Sequence, residues 1–332
     1  MRKTILLSVA VLLVASVAGA QHGIFTSAPD LSRFAPAGRI GSRVFYVDPQ
    51  SGSDNNSCLT SARACASVAA ALAKTVTNRG DTILFLAGPT SDAPTATIVW
   101  DRDFTHLVGV GCDQPGMGNR CRIVGTAAND LDRVIRVTGS GNSFTNIQVF
   151  QGREGAVWSG AVCVEGSRNV FKNVFFAGMG HAGPADNANS YSVMVTGSEN
   201  YFERFTIGLD TIARTSTNAE LTVLGARNRF VNGDIRSNST TAGKFLVRID
   251  NSAGDMRDTI FDRVLFYNYT TNWANGIDDA IDMPAGGNTH YVILRDCQLV
   301  GVNSGWADVV TRVYSSGSQP HAGFGISLTP TT

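Results

Sequence analysis

Charge is scarce in this chain of 332 residues. Charged residues make up 16%, and Lys+Arg 27 balance Asp+Glu 27, against a usual charged share of about 25%. No basic excess exists to neutralise phosphates, which excludes a nucleic-acid partner. Aromatics reach only 8%. Beyond the first twenty residues no apolar run approaches the ~20 residues that cross a bilayer, so no membrane partner is expected after the leader. No CxxC occurs and no His stands at zinc spacing from a Cys, so neither a metal nor a cofactor is expected. No Gly-rich phosphate loop precedes a helix. Against these shortages stand a hydrophobic content of 43% and Gly 35, which predict a large core and many tight turns rather than disorder.

Met1-Arg2-Lys3 is followed by an almost wholly apolar run over residues 4–17 and then Ala18-Gly19-Ala20. That order predicts a secretory signal peptide over residues 1–20; an uncleaved anchor would need a longer run. Loss of Arg2 and Lys3 leaves 25 basic against 27 acidic residues. Export agrees with the cysteines: Cys58 with Cys65, and Cys112 with Cys121, flank short polar stretches suited to local disulfides. Cys163 and Cys297 lie in strand-like runs and are read as unpaired and partly covered. The expected location is secreted, periplasmic or cell-surface.

Residues 21–43, rich in Gly, Ala, Pro and Ser, read as an arm or linker. Order begins at Val44-Phe45-Tyr46-Val47, a strand. Residues 66–76 read as a helix, and Thr82-Ile83-Leu84-Phe85-Leu86 as a strand. From residue 134 a unit recurs: a short alternating strand such as Val162-Cys163-Val164, Val193-Met194-Val195 or Leu221-Thr222-Val223, a turn, then Asn-x-Phe. The Phe column runs Phe144, Phe171, Phe202, Phe230, Phe261 and on to Leu294, at intervals of 27, 31, 28, 31 and 33 residues. A period near thirty without helices excludes helical repeats and four-stranded propeller blades. It predicts an all-β parallel β-helix over residues 44–330 with a short N-terminal capping helix. Val162/Val164, Val193/Val195, Leu221/Val223, Val247/Ile249 and Ile281/Met283 should point inward. Cys163, Met194, Thr222, Arg248 and Asp282 should point outward, with Arg248 and Asp282 as an ion pair between coils. The Asn before each Phe suits a corner that needs positive φ.

The opening Phe45-Tyr46-Val47-Asp48-Pro49-Gln50-Ser51-Gly52-Ser53-Asp54-Asn55, with Gly80-Asp81-Thr82-Ile83-Leu84-Phe85, resembles the start of right-handed parallel β-helix proteins of the pectate-lyase-like superfamily. Ile207-Gly208-Leu209-Asp210-Thr211-Ile212-Ala213-Arg214, with Asn228-x-Phe230-x-Asn232 and Gly325-Ile326-Ser327-Leu328, resembles β-helix structural proteins of tailed bacteriophages. The second likeness implies a virion component, for which a secretory leader is out of place, with capsid or other virion proteins as partners.

The same fold carries polysaccharide lyases and hydrolases. The densest acidic cluster is Asp278, Asp279 and Asp282, with His181 in a Gly-rich insertion. Polygalacturonase-like enzymes order Asn-Thr-Asp, Asp-Asp, Gly-His-Gly and Arg-Ile-Lys; here Gly180-His181-Ala182 precedes Asp278-Asp279 and the other two motifs are missing. Asp278 and Asp279 therefore read as a solvated loop or N-cap pair, and His181 as solvent-facing. Insertions over 178–191, 208–219 and 267–279 should gather on one binding face. The last carries Tyr267, Tyr269, Asn272, Trp273 and Asn275, suited to stacking on and hydrogen-bonding a cell-surface glycan. Asn238-Ser239-Thr240 and Asn268-Tyr269-Thr270 are glycosylation sequons. The leading expectation is a non-catalytic structural or surface-binding β-helix, phage virion-like or exported, with homo-oligomerisation left open. The alternative is a secreted polysaccharide lyase or glycoside hydrolase of the same fold.

Overall fold

The computed structural model describes residues 41–112, 120–239, 245–250, 258–269, 277–283, 290–308, 310–322 and 326–327. The expected leader and nearly all of the expected arm lie outside them. The described chain winds into a right-handed parallel β-helix. Each strand pairs in parallel with its counterpart one coil on, forming an eight-stranded sheet of short strands and a fourteen-stranded sheet of longer ones. Among the described residues, Gln319–Ala322 pairs antiparallel with Ile326–Ser327, and an isolated antiparallel bridge joins Gly88 to Arg120.

The register of the repeat is the register of the sheets. Phe144 pairs with Phe171, Phe171 with Phe202, Phe202 with Phe230, and Phe230 with Phe261. All five rings are buried and stack in near-parallel pairs, with centroids 4.9, 4.5, 4.7 and 5.1 Å apart. These distances match the coil spacing of ~4.8 Å, and each ring contributes roughly 1.5–3 kcal/mol by burial. Leu107 precedes the column and Leu294 follows it. On the short sheet, the pairs expected to face inward are all buried. Arg248 Nε lies 2.7 Å from Asp282 Oδ2 on the outer side.

The outer side of the short sheet is less open than its alternation implies. Cys163 and Thr222 are buried there. Cys163 is closed over by Tyr191, Arg133 and Glu165, and burial pushes its thiol up to about 11. Both Cys163 and Cys297 are free.

The Asn before each Phe does not occupy a left-handed corner. Positive φ falls one residue earlier, at Gly141, Arg168, Glu199 and Arg227. Asn142, Asn169, Asn200 and Asn228 instead form a buried ladder. The Oδ1 of each of the last three accepts the backbone N–H of the Asn one coil before. Their Nδ2 groups donate to the carbonyls of Gly139, Gly166 and Gly197. A corner buried between coils has no water to satisfy its amides, and the carboxamide supplies both the donor and the acceptor.

A second left-handed position, unforeseen from sequence, lies inside the long strands. Asn146, Asn173, Arg204, Asn232, Arg263 and Asp296 have φ between 50° and 56°. Each adds a step that resets the alternation. In the strand Tyr201–Arg214 the inward residues are therefore Phe202, Phe205 and Ile207, not every second one. The bend turns one long strand into two walls of the coil. Its outward positions then run as separate columns along the solenoid.

The helix is shorter than its Ala-rich run suggests, spanning Val68–Ala73. The Ser67 hydroxyl caps it by accepting from Ala70 N–H. It stops because β-branched Thr75 bonds back to Leu72 O and the Asp81 carboxylate takes Val76 N–H. Val68, Ala71 and Leu72 join the first coils in the common core. A second, one-turn helix, Ala182–Ala185, sits in the 178–191 insertion.

Candidate functional site

The bend in the long strands makes a groove. An open depression of about 590 Å³ crosses five coils, through Asn173, Arg204, Asn232, Arg263 and Asp296 of the left-handed column. Beside that column run the outward residues Thr206, Asp234, Leu265 and Gln298, paired coil to coil. The floor is apolar, set by Val174, Phe205, Gly233 and Val264. Gly233 is demanded by packing: a Cβ there would stand 2.5 Å from the ring of Phe205, which turns edge-on to Phe230 on the same coil as Gly233.

Asp234 sits at the centre. Its side chain is 19% exposed. Thr206 Oγ1 donates to its Oδ1 at 3.1 Å, and Arg236 Nε donates to its Oδ2 at 2.5 Å. Burial nevertheless raises the Asp234 carboxyl above the ordinary range, the Arg236 guanidinium opposes the rise, and Asp210 on the preceding coil adds to it. A carboxyl raised by burial and held by hydrogen bonds inside a groove is the kind of group that acid–base chemistry uses. Tyr267 continues the outward column that holds Arg236, which puts the phenol next along the wall from the Asp234–Arg236 pair.

The acids singled out from sequence are elsewhere. Asp278, Asp279 and Asp282 lie on the strand Ile277–Asp282 of the short sheet, not in a loop. Asp282 is engaged by Arg248. Asp279 is raised by burial, with Asp308 and Asp278 adding to the effect. His181 is exposed and caps the one-turn helix, its Nδ1 accepting from Gly183 N–H. None of these lines the groove. Tyr269 is 45% exposed; Asn272, Trp273 and Asn275 lie outside the described residues. Cys58 is bonded to Cys65, and Cys112 to Cys121. The Asn268 sequon is closed: its amide is buried, donates to Ser239 O and Gly301 O, and accepts from Ser239 N–H.

Two polar clusters escaped the sequence altogether. His106 Nδ1 lies 2.8 Å from Ser143 Oγ, one coil apart, and burial lowers the imidazole to about 4. Glu220 and Arg214 form a fully buried pair, with Ser192 donating to Glu220 and Arg214 donating to Ser237 and Asn218. Burial pushes Glu220 up to about 7, against the pull of Arg214. This cluster ties the 208–219 insertion to the coils on either side. Among the described residues no group of three or more His, Cys, Asp or Glu is arranged to hold a metal ion. No helix of the described residues is long and apolar enough to cross a membrane.

No protein-family model matches the sequence, and no curated protein does. Solved structures do match. Pectin methylesterase from carrot is 10% identical, with a TM-score of 0.57 over 87% of this chain and 85% of that one. Pectin methylesterase PemA from Erwinia chrysanthemi is 14% identical, TM-score 0.55, over 86% and 91%. Pectate lyase Pel9A is 16% identical, TM-score 0.54, over 85% and 74%. The likeness to phage structural proteins expected from residues 207–221 finds no support in these neighbours. At such identities the similarity is one of fold: this chain has the right-handed parallel β-helix of the pectate-lyase-like type.

Proposed function

We propose that the chain is an exported, polysaccharide-active enzyme that cleaves an acidic glycan of the pectin class in the Asp234 groove. The observation that carries the reading is Asp234 itself: a carboxyl raised by burial at the midpoint of a groove that runs along the coils. The groove is long enough for several sugars, since five coils span roughly 19 Å. The fold neighbours, pectin methylesterases and a pectate lyase, support the same substrate class. The two disulfides support an oxidising compartment.

The reaction that suits this pairing is hydrolysis. Asp234 gives its proton to the glycosidic oxygen as the bond from that oxygen to the anomeric carbon breaks. Asp210 takes a proton from water, whose oxygen bonds to the anomeric carbon. The Arg236 guanidinium then stabilises the Asp234 carboxylate left behind, and Thr206 holds its rotamer. The products are a new reducing end and a free hydroxyl.

The test incubates purified protein with polygalacturonate and with methyl-esterified pectin. Reducing ends, unsaturated products and released methanol are each measured. Reducing ends should appear without unsaturation, and Asp234→Asn should lower the rate by about 10²–10⁴. Unsaturated product or methanol as the main signal would replace hydrolysis by elimination or ester cleavage. No product from any arm, or full activity in Asp234→Asn, would refute the assignment.

A further inference from the structure

The left-handed column along the groove contains two residues that its backbone does not ask for. Positive φ is tolerated best by Gly, Asn and Asp. Asn146, Asn173, Asn232 and Asp296 fit that rule, whereas Arg204 and Arg263, at φ 52° each, do not. Arginines at the other left-handed corner have an evident partner, because Arg168 and Arg227 both bind Glu199 from the coils on either side. Arg204 has no such explanation. Its side chain is exposed and makes no hydrogen bond or ion pair among the described residues. Arg263 Nε donates to Asn232 Oδ1 at 2.7 Å, and its Nη1 lies 2.7 Å from Asp262 Oδ1 as an ion pair, contacts that lay its side chain along the groove wall.

Their placement relative to Asp234 is symmetric. Asn232 shares the Asp234 coil; Arg204 stands one coil before it and Arg263 one coil after. The two guanidinium-bearing positions are therefore two coils apart, about 9–10 Å. A 1,4-linked pyranose chain laid along the solenoid advances by close to one coil per sugar, so the two positions face sugars two units apart, with the intervening sugar over Asp234. A guanidinium accepts a carboxylate through two parallel N–H bonds and gains little from an ester carbonyl, which carries no charge.

We infer that Arg204 and Arg263 are a two-point reader of substrate charge, which makes the groove select a run of unesterified uronate over the same polymer with its carboxyls masked. The inference rests on the groove being the substrate site, as proposed above, and adds which side chains set its specificity and what pattern they demand. The rest of the groove offers amides, the Thr206 hydroxyl, an apolar floor and the carboxyl groups of Asp234 and Asp296, so Arg204 and Arg263 are the cations of its lining.

The experiment is calorimetric titration of the full chain with galacturonate oligomers of one length, either fully acidic or fully methyl-esterified, and a parallel titration of Arg204→Gln, Arg263→Gln and the double variant. The wild type should bind the acidic oligomer at least tenfold more tightly than the ester. Each single variant should lose about tenfold for the acid and little for the ester, and the double variant should no longer tell them apart. Equal affinity of the wild type for the two oligomers, or variants that keep the full preference, would overturn the reader. Arg168→Gln, at the opposite corner, should leave the preference unchanged and controls for net charge. Binding that follows this charge pattern in a protein that yields no product would remove the enzyme assignment and keep the reader. Turnover indifferent to esterification would do the reverse. Absence of binding to either oligomer would defeat both.

Discussion

Replacing Phe202 by Ala probes the column on which the coil depends. The ring is wholly buried, stacked at 4.5 Å on Phe171 and 4.7 Å on Phe230, with Phe205 edge-on at 6.5 Å. A Phe→Ala change in such a core costs about 3–5 kcal/mol, from lost transfer energy and the cavity left behind. Both stacked neighbours also lose a partner, at about 0.5–1.5 kcal/mol for each pair, which places the expected loss in the upper half of that range. Neighbouring coils cannot move in to fill the gap, because their spacing is held by the backbone ladders on both sides. Urea unfolding followed by circular dichroism gives the number, with Phe202→Leu expected to lose markedly less because most of the volume stays. Amide exchange adds a spatial check. In a stacked repeat each coil touches only its neighbours, so extra exchange should centre on the strands Val170–Ala177, Tyr201–Arg214 and Asn228–Ser239. A loss below about 1 kcal/mol, or extra exchange spread evenly over the chain, would refute the inward column.

The Asn ladder and the buried acid beside the helix make two more predictions. Asn200→Ala strands the Asn169 N–H and the Gly166 carbonyl, at about 1–3 kcal/mol for each unmet group. Asn200→Asp should be no better at neutral pH, because it loses the same donor and buries a charge, and should recover in acid as it protonates; denaturant midpoints at two pH values check this, and equal losses at both would count against the ladder. Asp92 is buried, accepts Val68 N–H, and burial raises it to about 6 from 3.8. A folded-state pKa above the unfolded one means stability that is complete below about pH 4 and lost as pH rises through 6. A shift near two units corresponds to about 3 kcal/mol at most. The stability gap between wild type and Asp92→Asn should therefore move by up to that amount in favour of Asn between pH 4 and 7, and parallel pH curves would show that Asp92 carries no such cost.

Much of the coil could be read from the chain because its core is written in columns. Residues that stack on one another share a chemical demand, so Phe144, Phe171, Phe202, Phe230 and Phe261 repeat, and the inward pairs of the short sheet repeat with them. The Asn before each Phe was visible for the same reason, yet its role was misplaced. Turn propensity describes a residue alone, and what this corner requires is a donor and an acceptor reaching one coil each way. The second left-handed column left a fainter mark. Asn146, Asn173 and Asn232 stand two positions after their Phe, but Arg204, Arg263 and Asp296 interrupt the run. An alternation that resets part-way through a strand then looks like noise.

That interruption is also why the groove was not found in advance. Acidic residues close in sequence, such as Asp278 and Asp279, draw attention, but a solenoid brings together residues about thirty apart. Thr206 meets Asp234 across 28 positions, and Arg263 meets Asn232 across 31. A site on such a scaffold is an offset within the repeat, and it shows where one coil departs from what the others have in common. Gly233 departs from the inward apolar residue that Val174, Phe205 and Val264 supply at its position. Arg204 and Arg263 depart from the asparagines of their column, and Asp234 stands where the adjoining coils carry Thr206 and Leu265. With Asp296, which also departs from the asparagines, these departures fall on four consecutive coils along one groove. A requirement of folding would have repeated along the rod; a requirement confined to four coils is what a ligand laid across them would impose.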